Sequence, residues 1–212
     1  MSARVADIEL STESAEHYTP PDVIAAVRHT LITIDVDPAS CELANRTVGA
    51  RRIFTKTDDG LSRSWRIPSY SSGTVFCNPP GSKRGVAPWW HHGARQWRTG
   101  DIDAMLFVIY NLNLLQVSQA HAQPGDILPL DGALCVPRER IAYYHPSANL
   151  AIPGTGGEVE RGEQPTRPSA FALLPSRRDP AASLRRFREA FEVFGAVRWD
   201  ASALSRILEG RS

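Results

Sequence analysis

An uninterrupted apolar segment from Ala104 to Ile109 restricts the fold more than any other feature of this chain. Strands with one solvent-exposed face alternate apolar and polar residues, whereas a strand without alternation is covered on both faces, as in a parallel sheet. Even extended to Tyr110, the segment is far too short to cross a bilayer, which takes about 20 apolar residues. It therefore predicts a buried central strand in a soluble domain that has no part in a membrane.

Further strands and helices alternate along the chain on both sides of this segment. Ile32, Ile34 and Val36 alternate with polar residues and predict a strand that ends at Asp37-Pro38. Other strands are predicted over 74–77, 133–136 and 171–174, and helices over 39–48 and 112–119. Helix ends are marked by capping residues, prolines and a glycine: Thr19 with Pro20, Ser40, Pro88, Asp179 with Pro180, and Gly195.

This alternation predicts an α/β domain of three layers, in which helices cover both faces of a mostly parallel sheet. The length of 212 residues fits one such domain. We predict the domain over 17–200, after a loose arm at 1–16 and before a short helix at 201–212. Residues 145–168 are dense in Gly and Pro and predict a long loop that is either functional or disordered.

The cysteines and histidines argue against a bound metal. Cys41, Cys77 and Cys135 are widely spaced and form no C-x-x-C pair, which fits a reducing compartment. His91 and His92 are adjacent, so on a helix they would point in different directions. Residues 1–10 lack the basic and apolar regions of an export signal. We therefore expect a cytoplasmic protein without a metal site.

Basic residues cluster locally although the net charge is only +1. The clusters lie within 51–56, 83–84, 138–140 and 177–188. Such patches can bind phosphates while acidic faces balance the total charge, but any one of them is also typical of a solvated surface. The charge pattern permits a nucleic-acid partner without indicating one.

Polar residues follow two of the predicted strands. Asp35 and Asp37 precede Pro38-Ala39-Ser40, and Asn78-Pro79-Pro80 follows the strand over 74–77. Ligands of such sheets bind beyond the carboxyl ends of the strands, near the point where the strand order reverses. Because proline lacks an N–H, the backbone after Asn78 cannot continue a ladder and leaves carbonyls for a ligand. The plain structural alternatives are a strand-to-helix turn capped by Ser40 and a strand that stops at a proline turn.

Taken in order, these motifs resemble the phage-type, Dam-like family of DNA N6-adenine methyltransferases, a branch of the class I S-adenosylmethionine-dependent enzymes. The resemblance is strongest over 17–115 and thinner out to about 175. It implies a Rossmann-like methyltransferase sheet and a phage or prophage enzyme of DNA methylation. It is carried by Tyr18-Thr19-Pro20-Pro21, Ile34 to Ser40, Ala44-Asn45, Phe54-Thr55, Asp58 to Leu61, Trp65 and Val75 to Pro80.

The resemblance implies a role for each matched segment. Tyr18-Thr19-Pro20 would pack on the methionine end of S-adenosylmethionine. Asp35, Asp37 and Pro38-Ala39-Ser40 would form the cofactor loop, with the carboxylates accepting hydrogen bonds from amino or hydroxyl groups. Either Asp58 or Asp59 would face the cofactor adenine. In Asn78-Pro79-Pro80, the Asn78 amide and the Pro79 carbonyl would accept hydrogen bonds from the target N6 amine.

The implied substrate is double-stranded DNA whose target adenine is flipped out, which calls for an aromatic stacking partner. The family usually has an aromatic residue after the second proline, where this chain has Gly81. Trp89, Trp90 or a residue of the 81–87 loop, which carries Lys83 and Arg84, could replace it as a substrate contact. A tryptophan at helical spacing is nevertheless more often a core residue.

Two other functions remain open at this point. One is a methyltransferase-derived protein that binds DNA or a partner without turnover, since Gly81 removes the usual stacking ring. The other keeps the pocket but methylates another base or a small amine. The sequence does not indicate the oligomeric state.

Overall fold

The computed structural model describes residues 18–68, 72–80, 85–110, 113–120, 122–143 and 169–210, without the side chain of Asn113. Within these ranges the chain forms one seven-stranded sheet with the strand order β2-β1-β3-β4-β6-β5-β7. The strands are β1 (Val36–Asp37), β2 (Arg52–Ile53), β3 (Gly73–Cys77), β4 (Ile102–Ile109), β5 (Ala133–Pro137), β6 (Ala170–Leu174) and β7 (Gly195–Arg198).

The sheet is mixed rather than mostly parallel. The pairs β1–β2, β1–β3 and β3–β4 are parallel, whereas β4–β6, β5–β6 and β5–β7 are antiparallel. The α/β class is confirmed, and the predicted parallel arrangement is confined to the first four strands of the chain. A strand pattern alone does not distinguish the two pairings, because a buried antiparallel strand such as β6 is as continuously apolar as a parallel one.

Helices cover both faces of the sheet, as predicted. Alternate residues of β4 divide between two cores: Leu106 packs with α1 and α5, and Phe107 packs with α3. Every residue of β4 is buried, which confirms the central strand that the apolar segment predicts. The described helices are α1 (Pro21–Leu31), α2 (Glu42–Val48), α3 (Ala87–Thr99), α4 (Asn113–Ala120), α5 (Pro180–Phe191) and α6 (Ala201–Glu209).

Two predicted helix caps lie one residue away from the observed ones. α1 begins at Pro21 with Pro20 as its N-cap and no side-chain cap, so Thr19 is free for another contact. α2 begins at Glu42, and the Cys41 sulfur, not Ser40, accepts the hydrogen bond from the Ala44 N–H. Asp179 is confirmed as the cap of α5, since its carboxylate accepts from the Ala182 N–H at 3.0 Å.

Two strand boundaries also differ from prediction. The strand predicted from Ile32 is shorter, because Ile32 caps the end of α1 with a positive φ of 68° and the ladder starts later. Gly195 does not end α5 but begins β7, where a Cβ would lie 2.0 Å from the Val136 carbonyl oxygen. The missing side chain therefore permits the close approach of β7 to β5. The predicted arm at 1–16 and the whole of the predicted loop at 145–168 lie outside the described residues.

Candidate functional site

The strand order reverses between β1 and β3. The chain passes from β1 through α2 to β2 on one side, and then returns to β3 on the other side. All three strands are parallel, so their carboxyl ends meet at one edge of the sheet, where α/β proteins bind ligands. Asp37 is the last residue of β1, and Asn78 directly follows β3.

A cavity of about 350 Å³ opens at this edge. Its wall includes Tyr18, Thr19, Asp59, Trp89 and the two segments 37–40 and 78–80. The structure thus brings together most of the residues that the sequence assigns to a cofactor or to the target amine. The volume lies in the range that small-molecule sites usually have, about 300 to 1,000 Å³.

Four predicted site residues are not part of this wall. Pro20 caps α1. Asp35 forms an ion pair with Arg51 at 3.1 Å and accepts from the Thr74 N–H at 2.9 Å. The Asp58 carboxylate accepts from the Thr55 hydroxyl and N–H, and these bonds lower its pKa and close the turn that carries Asp59. Of the two candidates at this turn, only Asp59 borders the cavity.

The fourth residue outside the wall is Trp90, which belongs to the core. It is fully buried, packs edge-on against Phe107, and donates from its indole N–H to the Ile127 carbonyl at 2.8 Å. Trp89, the preceding residue, borders the cavity and is 8% exposed. Trp89 is therefore the better placed of the two for a ligand contact. Gly81, Lys83 and Arg84 lie outside the described residues.

Asp37 is a buried acid without a cationic partner. It is 2% exposed, and in the described part of the chain no Arg, Lys or His lies within ion-pair distance of it. Burial raises the pKa of Asp37 to about 7, against the opposing effect of the Ala39 N–H, which donates to the carboxylate at 3.2 Å. The nearby Ser40 hydroxyl also lowers this pKa, but its geometry falls short of a hydrogen bond.

Ser40 adds an unsatisfied polar group to the same wall. Its hydroxyl oxygen is buried and has no hydrogen-bond partner among the described residues. Buried polar groups in folded proteins are nearly always paired, and an exception calls for an explanation. Asp37 and Ser40 together present an anionic acceptor and a hydroxyl to whatever occupies the cavity.

The Asn78 amide is held at both ends. Its nitrogen donates to the Thr19 hydroxyl at 3.0 Å, and its oxygen accepts from the Tyr110 hydroxyl. An amide oxygen has two lone pairs and can accept two hydrogen bonds. Pro79 and Pro80 follow with no N–H of their own, and Pro79 is buried. The tip of β3 therefore presents acceptors on a backbone with little freedom to move.

Another part of the wall is the turn around Gly60, which packs very closely on the 37–40 segment. A Cβ on Gly60 would lie 2.0 Å from the Pro38 carbonyl oxygen, so only glycine fits there. Trp65 anchors the turn by donating from its indole N–H to the Gly60 carbonyl at 2.8 Å. Its ring stacks on Trp89, with 6.4 Å between the centroids. Asp58 to Leu61 and Trp65, which are among the residues that carry the family resemblance, therefore pack together in the structure.

Sequence reasoning missed several residues of the wall. Tyr110 directly follows β4 and Phe54 directly follows β2, so both lie at the carboxyl ends of parallel strands. Their position at the ends of strands could have identified them, because the same position identifies Asp37 and Asn78. Lys56, which is exposed, also borders the cavity.

Comparison with protein-family models, with curated proteins and with solved structures finds no match to this chain. Among the described residues, no three His, Cys, Asp or Glu side chains are grouped so as to hold a metal ion. None of the described helices combines the length and apolar character needed to traverse a bilayer.

Proposed function

We propose that this protein transfers a methyl group from S-adenosylmethionine to the exocyclic N6 amine of adenine in DNA. The observation that carries the proposal is the cavity where the strand order reverses, which has Asp37 on one wall and Asn78-Pro79-Pro80 on another. An acidic group that suits the cofactor and an acceptor pair that suits an amine thus meet in one space. The order of the motifs along the chain is also that of the Dam-like family.

The residues present fit the cofactor. S-adenosylmethionine carries an ammonium group, ribose hydroxyls and a sulfonium ion, and when bound it supplies the activated methyl group. Asp37 is a buried acceptor that lacks a cation in the described residues, and the Ser40 hydroxyl lacks a partner there. An opposite charge favours the ionised form of a carboxyl group, so a cationic ligand would lower the raised pKa of Asp37. Apolar Phe54 and Leu61 offer contact area beside these groups.

The target amine suits the tip of β3. The lone pair of the adenine amino group is delocalised into the ring, so this nitrogen is a poor nucleophile. The Asn78 oxygen and the Pro79 carbonyl accept hydrogen bonds from the two N–H groups of the amine and favour a pyramidal nitrogen. Fixed acceptors of this kind act by positioning and by preorganised electrostatics, with no covalent intermediate on the protein. Trp89 is the first described aromatic residue of the wall that follows the position of Gly81 along the chain.

Cofactor binding is tested by isothermal titration with S-adenosylmethionine. We expect binding to the natural chain and at least tenfold weaker binding to Asp37→Asn, which removes the charge and keeps the shape. Asp35→Asn is the matched control, because Asp35 is also buried and lies two residues away, but it is satisfied by Arg51 and Thr74. Absence of binding at millimolar cofactor would refute the proposal.

Methyl transfer is tested with labelled cofactor and duplex DNA of mixed sequence, followed by long-read mapping of modified bases. Asn78→Ala should abolish transfer and leave cofactor affinity within about twofold, since it removes an acceptor that acts on the target. Full activity of Asn78→Ala would remove this residue from the mechanism. Cofactor binding without transfer to DNA would instead favour a small amine as the acceptor or a protein without turnover.

A further inference from the structure

Tyr110 is a wall residue to which neither the motifs nor the proposed chemistry assigns a role. It directly follows β4, whose buried backbone runs parallel to β3 in the register Cys77 to Phe107. Its ring lies edge-on to Tyr143, with 5.4 Å between the centroids. The Tyr110 hydroxyl donates to the Asn78 amide oxygen. Two adjacent strand ends are thus joined by one side-chain hydrogen bond inside the cavity wall.

The orientation of the Asn78 amide decides what this site can recognise. The two ends of an amide have nearly the same shape, but one is an acceptor and the other a donor of two hydrogen bonds. With the oxygen toward Tyr110, the second lone pair of that oxygen can accept from an amine. Turned by 180°, the amide would present N–H groups to the amine and would repel it. A site for amines therefore needs a device that fixes the amide.

Thr19 alone does not fix the orientation. Its hydroxyl accepts from the Asn78 nitrogen at 3.0 Å, but a hydroxyl can donate to an amide oxygen equally well. A phenol is a better donor than acceptor, because the oxygen lone pair is delocalised into the ring. Burial raises the pKa of Tyr110 well above its usual value, so the phenol keeps its proton.

We propose that Tyr110 is a positioning residue that orients the Asn78 amide, so that the site accepts an amine donor. This inference rests on the proposed function and deepens it, because it names the residue that makes the tip of β3 selective for amines. Tyr110 acts through Asn78 and does not itself contact the transferred methyl group. Removal of the Tyr110 hydroxyl should therefore impair turnover without weakening the binding of the cofactor.

The variant Tyr110→Phe removes the hydroxyl and keeps the ring against Tyr143. We expect kcat for methyl transfer to fall about 10- to 100-fold, the range that corresponds to one hydrogen bond to a reacting site. The dissociation constant for S-adenosylmethionine should stay within about twofold. Tyr143→Phe is the matched control, since it removes the same atom from the adjoining ring, whose hydroxyl lies near Ser169.

A double-mutant cycle separates orientation from mere packing. In Asn78→Asp both ends of the side chain are oxygens, so there is no wrong orientation left for Tyr110 to exclude. An orienting role predicts that Tyr110→Phe costs less than about threefold in the Asn78→Asp background. The same loss in both backgrounds would overturn the proposal, because a packing defect does not depend on the amide.

A second measurement does not depend on activity. Spectra of protein labelled with ¹⁵N in asparagine side chains identify the Asn78 amide by its disappearance in Asn78→Asp. Tyr110→Phe should shift or broaden this resonance, and Tyr143→Phe should leave it in place. An unchanged Asn78 resonance in Tyr110→Phe would overturn the orienting role even if Asn78→Asp were inactive. If the resonance shifts but the protein methylates nothing, the proposed function is refuted, while the hydrogen bond from Tyr110 to Asn78 is supported.

Discussion

Replacing Asp37 by Asn should make the protein without ligand more stable at neutral pH. The carboxylate is buried, and no cationic residue in the described part of the chain lies within ion-pair distance, so the folded protein bears the cost of holding a desolvated charge. Asn has nearly the same shape, and its oxygen can still accept from the Ala39 N–H. The substitution therefore removes the charge and little else.

The raised pKa of Asp37 determines the magnitude and the sign of its effect on the free energy of unfolding. The pKa of Asp37 rises from 3.8 to about 7 on folding, so between these values the folded state binds a proton that the unfolded state has lost. Stability therefore falls as pH rises through this window, by about 1.4 kcal/mol per pH unit. The full cost above pH 7 is roughly 4 kcal/mol, of which roughly 3 kcal/mol develops between about pH 5 and pH 8.

Urea denaturation of the natural chain and of Asp37→Asn at several pH values measures this effect. Other titrating groups cancel when the two free energies of unfolding are subtracted at each pH. The advantage of the Asn variant should grow by roughly 3 kcal/mol from about pH 5 to about pH 8. Saturating S-adenosylmethionine should reduce this growth, because a bound cation favours the ionised form. A difference that stays flat across this range would refute the reasoning.

Three further substitutions test the wall of the cavity and the core beside it. Gly60→Ala should weaken cofactor binding at least tenfold and destabilise the fold by about 1–3 kcal/mol, because its Cβ would lie 2.0 Å from the Pro38 oxygen. Titration and denaturation measure both, with Gly210→Ala, at the end of α6, as the control. Trp90→Phe should cost about 1–3 kcal/mol of stability and spare ligand affinity, whereas Trp89→Phe should alter affinity. If both variants lost stability and affinity equally, the assignment of Trp90 to the core and of Trp89 to the site would be contradicted.

The sequence predicted the sheet best where burial leaves no choice. The apolar segment that starts at Ala104 has no polar position that could face solvent, so β4 had to be central and covered on both faces. The Asp179 cap was equally readable, since Asp before Pro starts helices for local reasons. The antiparallel half was not predictable in this way. Its pairings join strands far apart in sequence, and an apolar strand carries no mark of its direction.

The site was predictable from its position more than from its local details. Asp37 and Asn78 both follow strands, and parallel strands bring such ends together. Thr19 and Ser40 were given capping roles because their side chains suit caps, but adjacent residues occupy those positions. Which residue caps a helix depends on a shift of one position, which the sequence does not fix. Such a shift released both side chains toward the cavity.

Asp35 and Asp37 together show why the cavity is better explained by a ligand than by folding alone. They lie two residues apart, and both are buried. Asp35 is satisfied within the fold, by the Arg51 guanidinium and by the Thr74 N–H. Among the described residues, the Ala39 N–H donates to the Asp37 carboxylate and the Ser40 hydroxyl does not reach it, and Asp37 borders a cavity in which a donor could be accommodated. Within the described part of the chain, Asp35 is thus neutralised by a cation and Asp37, which faces the cavity, is not. A cation held in the cavity would remove that cost, and the pH-dependent difference between Asp37 and its Asn variant, with and without the ligand, would measure this coupling between ligand charge and the pKa of Asp37.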